Sequence, residues 1–253
     1  MPRLDRRGVA IHYESAGAGA PLLLSHGFAA TSRMWDPQAA ALADRHRVIR
    51  WDMRGHGESD APADLASYSH ALGVGDMAAV LDTCGARRAV LVGLSLGGFL
   101  SLLFHVRHRE RVRALVLLDT GPGYRSAVAR TAWNRYAEEQ ARALEARGAA
   151  GLRHSSEVHV EWHRTLAGLP HAARAMLVQT DPVVIDSLAS IAVPTLLVAG
   201  ADDTEFLPGM AYMAGKIPGA RYEVIEGAGH GVNLDQPERV NALLRDFLSV
   251  LPD

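Results

Sequence analysis

Short apolar runs, each closed by turn-forming residues, recur along the chain at Leu22–Ser25, Val48–Asp52, Ala89–Leu94, Ala114–Asp119 and Thr195–Gly200. Runs this brief and continuous suit strands covered on both faces of a parallel sheet. Ahead of them Val9–Glu14 alternates apolar and polar positions, as a half-exposed strand does, and Gly17-Ala18-Gly19-Ala20-Pro21 punctuates it. Helix-length stretches lie between, at Trp35–Asp44, Tyr68–Cys84 and Gly97–Arg107, and a strand at Arg221–Ile225 and a helix at Gln236–Val250 close the chain. Strand–helix alternation of this kind predicts an α/β protein, a doubly wound and mostly parallel sheet with right-handed crossovers.

One interval breaks the rhythm. From Gly121 to about Ser190 no strand-like run occurs, over a stretch far longer than an ordinary crossover. Ser126–Arg147 carries alanine, arginine and glutamate at helical spacing, and further helical patterns run through Val158–Ala167 and Ala172–Gln179. The expected organisation is a core formed by residues 1–120 and 191–253, with residues 121–190 inserted as a helical cap.

Composition narrows the class. With 253 residues, 48% of them hydrophobic and 21% charged, the chain has the proportions of a globular domain rather than a disordered one. A formal charge of −2 supplies no electrostatic attraction for nucleic acid or an anionic membrane, so neither is expected as a partner. No apolar run reaches the roughly 18 residues of a membrane span, and the charged start is unlike a secretory signal. A cytoplasmic location follows as an expectation. One cysteine, Cys84, can make neither an intrachain disulfide nor a cysteine-based zinc site. Gly17-x-Gly19 meets Leu22 where a dinucleotide fingerprint needs glycine, and no HExxH or phosphate-loop lysine occurs.

The chemistry begins at Gly93-Leu94-Ser95-Leu96-Gly97, where the Ala89–Leu94 strand runs straight into a helix-forming segment. This is the strand–turn–helix setting of a nucleophile elbow. So tight a turn forces a strained backbone on Ser95, and glycines two residues to either side remove the side chains that would collide. The serine would stand at the positive end of the following helix, where the Leu96 N–H can face a developing oxyanion. The competing reading is a glycine-rich helix start with a capping serine.

A serine hydroxyl needs a base, and the base needs a carboxylate to orient it. Of twelve histidines only His230 lies late in the chain on a glycine-rich loop, Gly227-Ala228-Gly229-His230-Gly231, between the last strand and the last helix. His105, His108 and His163 fall in polar, helical stretches and are expected to be solvated. The acid is Asp203, in Gly200-Ala201-Asp202-Asp203, with Asp119 and Asp202 as rivals that chain order does not exclude. A second oxyanion donor is expected from the loop after Leu22–Ser25, at the Phe28 N–H of His26-Gly27-Phe28, with His26 a hydrogen-bonded loop residue.

These features together resemble the α/β-hydrolases over almost the whole chain. Asp52-Met53-Arg54-Gly55-His56-Gly57-Glu58-Ser59 is similar to the family's D-x-R-G-x-G-x-S turn, and Pro194–Pro208 and the His230 loop are similar to its acid and histidine regions. The resemblance implies Ser95 as nucleophile, Asp203 as acid, His230 as base, Phe28 and Leu96 as oxyanion donors, and an architectural turn at 52–59 with His56 structural. It also implies a cap at residues 121–190. Serine at position 95 sets the chain apart from the dehalogenases and epoxide hydrolases of this fold, which carry an aspartate nucleophile. Leu94 stands where carbon–carbon bond hydrolases typically have asparagine. The elbow is similar to those of esterases, enol-lactonases and cofactor-free perhydrolases.

The expected function is therefore hydrolysis of a small carboxylic ester or lactone by a serine enzyme that needs no cofactor or metal. The alternatives are another bond type (a perhydrolase or carbon–carbon hydrolase), or a ligand receptor on this fold with slow or absent turnover. Tyr124, Trp133 and Trp162 are candidate substrate contacts in the cap, and each reads equally as a packing residue.

Overall fold

The computed structural model describes residues 2–251. Eight strands form one sheet: β1 (Arg3–Asp5), β2 (Ala10–Ala16), β3 (Ala20–Ser25), β4 (His46–Trp51), β5 (Ala89–Leu94), β6 (Val112–Leu118), β7 (Thr195–Gly200) and β8 (Arg221–Ile225), in the order β1-β2-β4-β3-β5-β6-β7-β8. The first two pairings, β1 with β2 and β2 with β4, are antiparallel. The rest are parallel. This is the doubly wound, mostly parallel α/β sheet that the apolar runs predict, in the α/β-hydrolase arrangement that the resemblance implies. The short β1 carries no apolar run to announce it; it exists because its backbone pairs with β2.

Every residue of β5 and β7 is buried, which is why these segments read as unbroken apolar runs rather than alternating ones. Successive side chains still divide between the two faces. Leu23, Leu91, Leu115 and Leu197 pack with α2 (His70–Thr83), α3 (Leu96–Arg107) and α7 (Leu207–Lys216). Leu22, Leu24, Val92, Val116 and Val198 pack on the opposite face with α1 (Asp36–Leu42), α8 (Val232–Asp235) and α9 (Pro237–Ser249). The parallel strands point their carboxyl ends to one edge, and that edge carries the loops holding Ser95, Asp203 and His230.

Between β6 and β7 the chain is helical, with α4 (Ala127–Arg147), α5 (Leu169–Ala172) continued by π-type turns over Ala173–Leu177, and α6 (Val183–Ser187). Ser126 caps α4 through its hydroxyl, and Gly148 closes it with φ +55°. The helix expected over Val158–Ala167 is absent. A single 3-10 turn at Val160–Trp162 interrupts irregular chain there. Tertiary ties hold that chain away from helical geometry: Gly57 donates to His163 Nδ1 (3.1 Å) and Arg164 N–H donates to Gly57 O (3.0 Å). Val158, Val160 and Thr165 are in any case weak helix formers. A small apolar cluster of Ala29, Leu144 and Leu169, joined by Phe28, Leu152 and Val158, fastens this helical segment to the loop after β3.

Candidate active site

The turn after β5 puts Ser95 at φ 53°, ψ −118°, a left-handed conformation that a side-chain-bearing residue adopts only under constraint. The constraint is a set of backbone bonds: Ser95 N–H donates to Leu118 O (3.0 Å), while Ser95 O accepts from Phe99 N–H (3.0 Å) and Thr120 Oγ1 (2.6 Å). Gly97 permits the crossing of α3 over β3, since a Cβ there would lie 2.1 Å from Ser25 O. Leu96 opens α3, where the first N–H groups have no acceptor within the helix and the dipole is positive.

His230 Nδ1–H donates to Asp203 Oδ2 at 2.7 Å across 27 residues of chain. Asp203 is buried, whereas Asp202 is exposed and its backbone N–H donates to Ala228 O. Asp119, at the end of β6, turns a different way: its Oδ1 accepts from Gly200 N–H (2.9 Å) and its Oδ2 is buried without a hydrogen-bond partner. Burial pushes the Asp119 carboxyl up to about 8. Burial pulls the His230 imidazole down. The Asp203 hydrogen bond and the charges of Glu157, Asp203 and Asp119 outweigh that pull and leave the imidazole above its ordinary value. Of the three candidate carboxylates, Asp203 is the one joined to the imidazole.

Ser95, Leu96, Phe28, His230 and Asp203 line one cavity of about 630 Å³, a volume suited to a small organic ligand. Among the described residues no hydrogen bond joins Ser95 Oγ to His230; contacts of this kind commonly tighten only when substrate is engaged. Phe206 packs its ring 4.7 Å from that of His230.

Tyr124 and Trp133 line the cavity too. Trp133 is also anchored, because its Nε1–H donates to Leu177 O (2.6 Å) and its edge meets Phe206. Trp162 is not among the lining residues. Its ring stacks on His159 at 3.8 Å beneath the Arg33 guanidinium, and the chain around it is a 3-10 turn tied to Gly57. No cluster of three or more His, Cys, Asp or Glu among the described residues is arranged to hold a metal ion. No helix among them is long and apolar enough to cross a membrane.

Behind the cavity, His26 Nε2 accepts the Met53 N–H (2.9 Å), which leaves its proton on Nδ1 to donate to Gly27 O (2.7 Å). Burial holds this imidazole down, to about 4, so it stays neutral in its loop. The 52–59 turn is braced by Asp52, which accepts from Ser32 N–H (2.6 Å) and Glu58 N–H (2.9 Å), and by the buried, two-point Arg54–Asp76 pair. Two histidines expected to be solvated are not. His105 is buried inside α3, and His163 bridges the β3 loop to the turn, with its Nε2–H donating to Ala29 O (3.0 Å). Glu157, 4% exposed and in the cavity wall, carries no motif to reveal it in the sequence.

Comparison with known proteins places this site in context. The model of the "Alpha/beta hydrolase family" matches residues 22–243. The 3-oxoadipate enol-lactonase 1 of Acinetobacter baylyi is 30% identical over 90% of this chain and 88% of its own length. A 2-hydroxymuconate semialdehyde hydrolase of Pseudomonas putida is 30% identical over 98% of this chain and 95% of its own. Among solved structures, a thermophilic esterase from Thermogutta terrifontis superposes with a TM-score of 0.83 at 29% identity, covering 98% of both chains.

Proposed function

The chain belongs to the alpha/beta hydrolase family, and we propose that within it this protein is a serine hydrolase of a small carboxylic ester or lactone. The observation that carries this reading is the 2.7 Å Asp203–His230 hydrogen bond on the wall of the cavity that also exposes Ser95. In the proposed reaction His230 Nε2 takes the Ser95 hydroxyl proton as Oγ attacks the substrate carbonyl. The Phe28 and Leu96 N–H groups receive the negative charge on the tetrahedral oxygen. His230 then returns the proton to the departing alkoxide, leaving an acyl group on Ser95, and water activated by the same imidazole releases the acid. Asp203 holds the imidazole in the tautomer that this requires. Leu94, in place of asparagine, disfavours the carbon–carbon alternative.

Turnover of a short-chain nitrophenyl ester and a simple lactone, with mass spectrometry of a quenched reaction to find an acyl group on Ser95, tests the proposal. Ligand-dependent stabilisation with no turnover of either would replace it with a receptor role.

The acid assignment makes its own prediction. Asp203→Asn is expected to lower kcat by about a thousand- to ten-thousand-fold, because the imidazole loses its orienting charge. Asp119→Asn is expected to stay within about tenfold of wild type, since Asp119 makes no hydrogen bond to His230 and burial already disfavours the charge that the amide removes. Its melting temperature should be unchanged or higher. Steady-state kinetics and thermal melts on the two variants decide; the reverse ranking would move the acid to Asp119.

Residues 121–190 act in this reading as a cap that sets substrate size over the sheet's carboxyl edge. Tyr124→Ala should change the kcat/KM ratio between short and long acyl chains by about tenfold with little loss of stability. Trp162→Ala should leave that ratio alone. Trp133→Ala should change the ratio and also cost about 3 kcal/mol. A Tyr124→Ala variant with unaltered chain-length preference would place the selective wall elsewhere.

A further inference from the structure

Glu157 is a buried carboxylate that the proposed reaction does not use. It sits in a turn of the segment between β6 and β7, and that turn presses on the loop of the candidate base. A Cβ on Gly231, the residue after His230, would fall 2.1 Å from Ser156 Oγ and 2.9 Å from Glu157 Oε2. Ser156 Oγ also reaches Gly231 O at 3.5 Å. Two elements distant in sequence meet there through side-chain ends, so a Cβ on Gly231 would displace the Ser156 hydroxyl and the Glu157 carboxylate.

The carboxylate itself is 4% exposed and lines the cavity shared by Ser95 and His230. Its hydrogen-bond partner is the Ser155 hydroxyl, and no salt bridge to an arginine or lysine is present among the described residues. A carboxylate buried beside a neutral hydroxyl is poorly compensated. A positive charge arising next to it would compensate it, and the imidazolium of His230 is such a charge.

We infer that Glu157 is a positioning residue for His230: it anchors the His230–Gly231 loop against the helical segment and favours the protonated imidazole each time the base accepts a proton. The inference rests on the serine-hydrolase reading above. The groups facing His230 are Asp203 from the loop after β7, Asp119 from the end of β6, Glu157 from the helical segment, and Asp235, which accepts from Gly229 N–H (2.8 Å). Glu157, Asp203 and Asp119 are the carboxylates whose charge lifts His230, and Glu157 acts on it more strongly than Asp119 does. Arg153 and Glu205 at the cavity rim are paired with each other (2.7 Å).

The sign follows directly. A carboxylate raises the proton affinity of a nearby imidazole, so Glu157 moves the acid limb of activity to higher pH and strengthens the base above it. Glu157→Gln keeps the shape and removes the charge. The His230 imidazole resonance in that variant is expected to titrate about half a unit to one unit lower than in wild type. The acid limb of kcat/KM on a nitrophenyl ester should move by the same amount, and Glu157→Asp should restore most of the shift. Ser156→Ala, which loosens the contact without touching a charge, should leave the midpoint in place. Should Glu157→Gln not fold, Gly231→Ala pushes the same carboxylate away and should move the midpoint in the same direction.

An unmoved His230 titration in Glu157→Gln overturns the inference, as does a loss of activity equal at every pH in Glu157→Gln and Ser156→Ala. A titration that shifts while the kinetic limb stays put counts against His230 as the base instead, and leaves the Glu157–His230 coupling standing.

Discussion

Ser95→Ala is expected to lower kcat by about ten-thousand- to a million-fold while the protein melts at the wild-type temperature. The two effects separate because of the backbone. Ser95 occupies φ 53°, and alanine carries the same Cβ and the same conformational cost there, so only the hydroxyl is lost. What residual rate remains comes from the oxyanion donors and from binding, and neither includes Oγ. Ser95→Gly provides the complementary measurement. It loses the hydroxyl too, but it also relieves the left-handed strain, worth roughly 1 kcal/mol. For a chain of this size that raises the melting temperature by about 2–4 °C. Ester kinetics, phosphonate labelling and thermal melts check both variants. A Ser95→Ala protein labelled by phosphonate as fast as wild type would overturn the nucleophile assignment. A Ser95→Gly protein less stable than Ser95→Ala would show that the elbow stores no strain.

The second large effect is on folding. A Cβ on Gly97 would lie 2.1 Å from Ser25 O, at the end of the parallel β3–β5 ladder, and 2.6 Å from His26 O in the residue that follows, both of them backbone atoms. Neither oxygen can move without separating α3 from the loop after β3. Gly97→Ala is therefore expected to cost about 3 kcal/mol or more, and to depress kcat as well by spreading the two oxyanion donors apart. Gly215→Ala is the control. Gly215 lies in α7 with nothing within 4 Å of a built Cβ, and alanine there should stabilise by about 0.5–1 kcal/mol. Urea unfolding of the two variants reads both signs. A Gly97→Ala protein as stable as wild type would mean that the elbow and the β3 loop are not in the tight contact described.

These two predictions draw on different sources. The elbow was legible in the sequence because its determinants are local: an apolar strand, glycines at fixed offsets from a serine, and a helix-forming segment lie within a dozen residues. The same holds for the sheet strands, whose burial on both faces writes itself as short apolar runs. His230 stood out through its glycine-rich loop and its place after the last strand, again features of neighbouring residues.

Choosing among Asp119, Asp202 and Asp203 needed the fold. All three lie at the carboxyl ends of adjacent strands, β6 and β7, and chain order permits each. Only the curvature of the loop after β7 turns Asp203 onto His230, while Asp119 is spent on the Gly200 N–H and Asp202 faces solvent. The helix absent from Val158–Ala167 has the same origin, since its apolar spacing is real but the bonds that decide its shape come from Gly57, about a hundred residues away. Trp162 follows that segment away from the cavity. His105 and His163 read as solvated in the sequence, and Glu157 carries no motif, yet the fold buries His105 and Glu157 and makes His163 a bridge. Sequence alone determined the sheet and the elbow and singled out the candidate serine and histidine, because short-range sterics and periodic burial act between neighbours. Tertiary structure decided which carboxylate reaches the imidazole and which polar groups are desolvated, because those depend on distances across loops that no local pattern encodes.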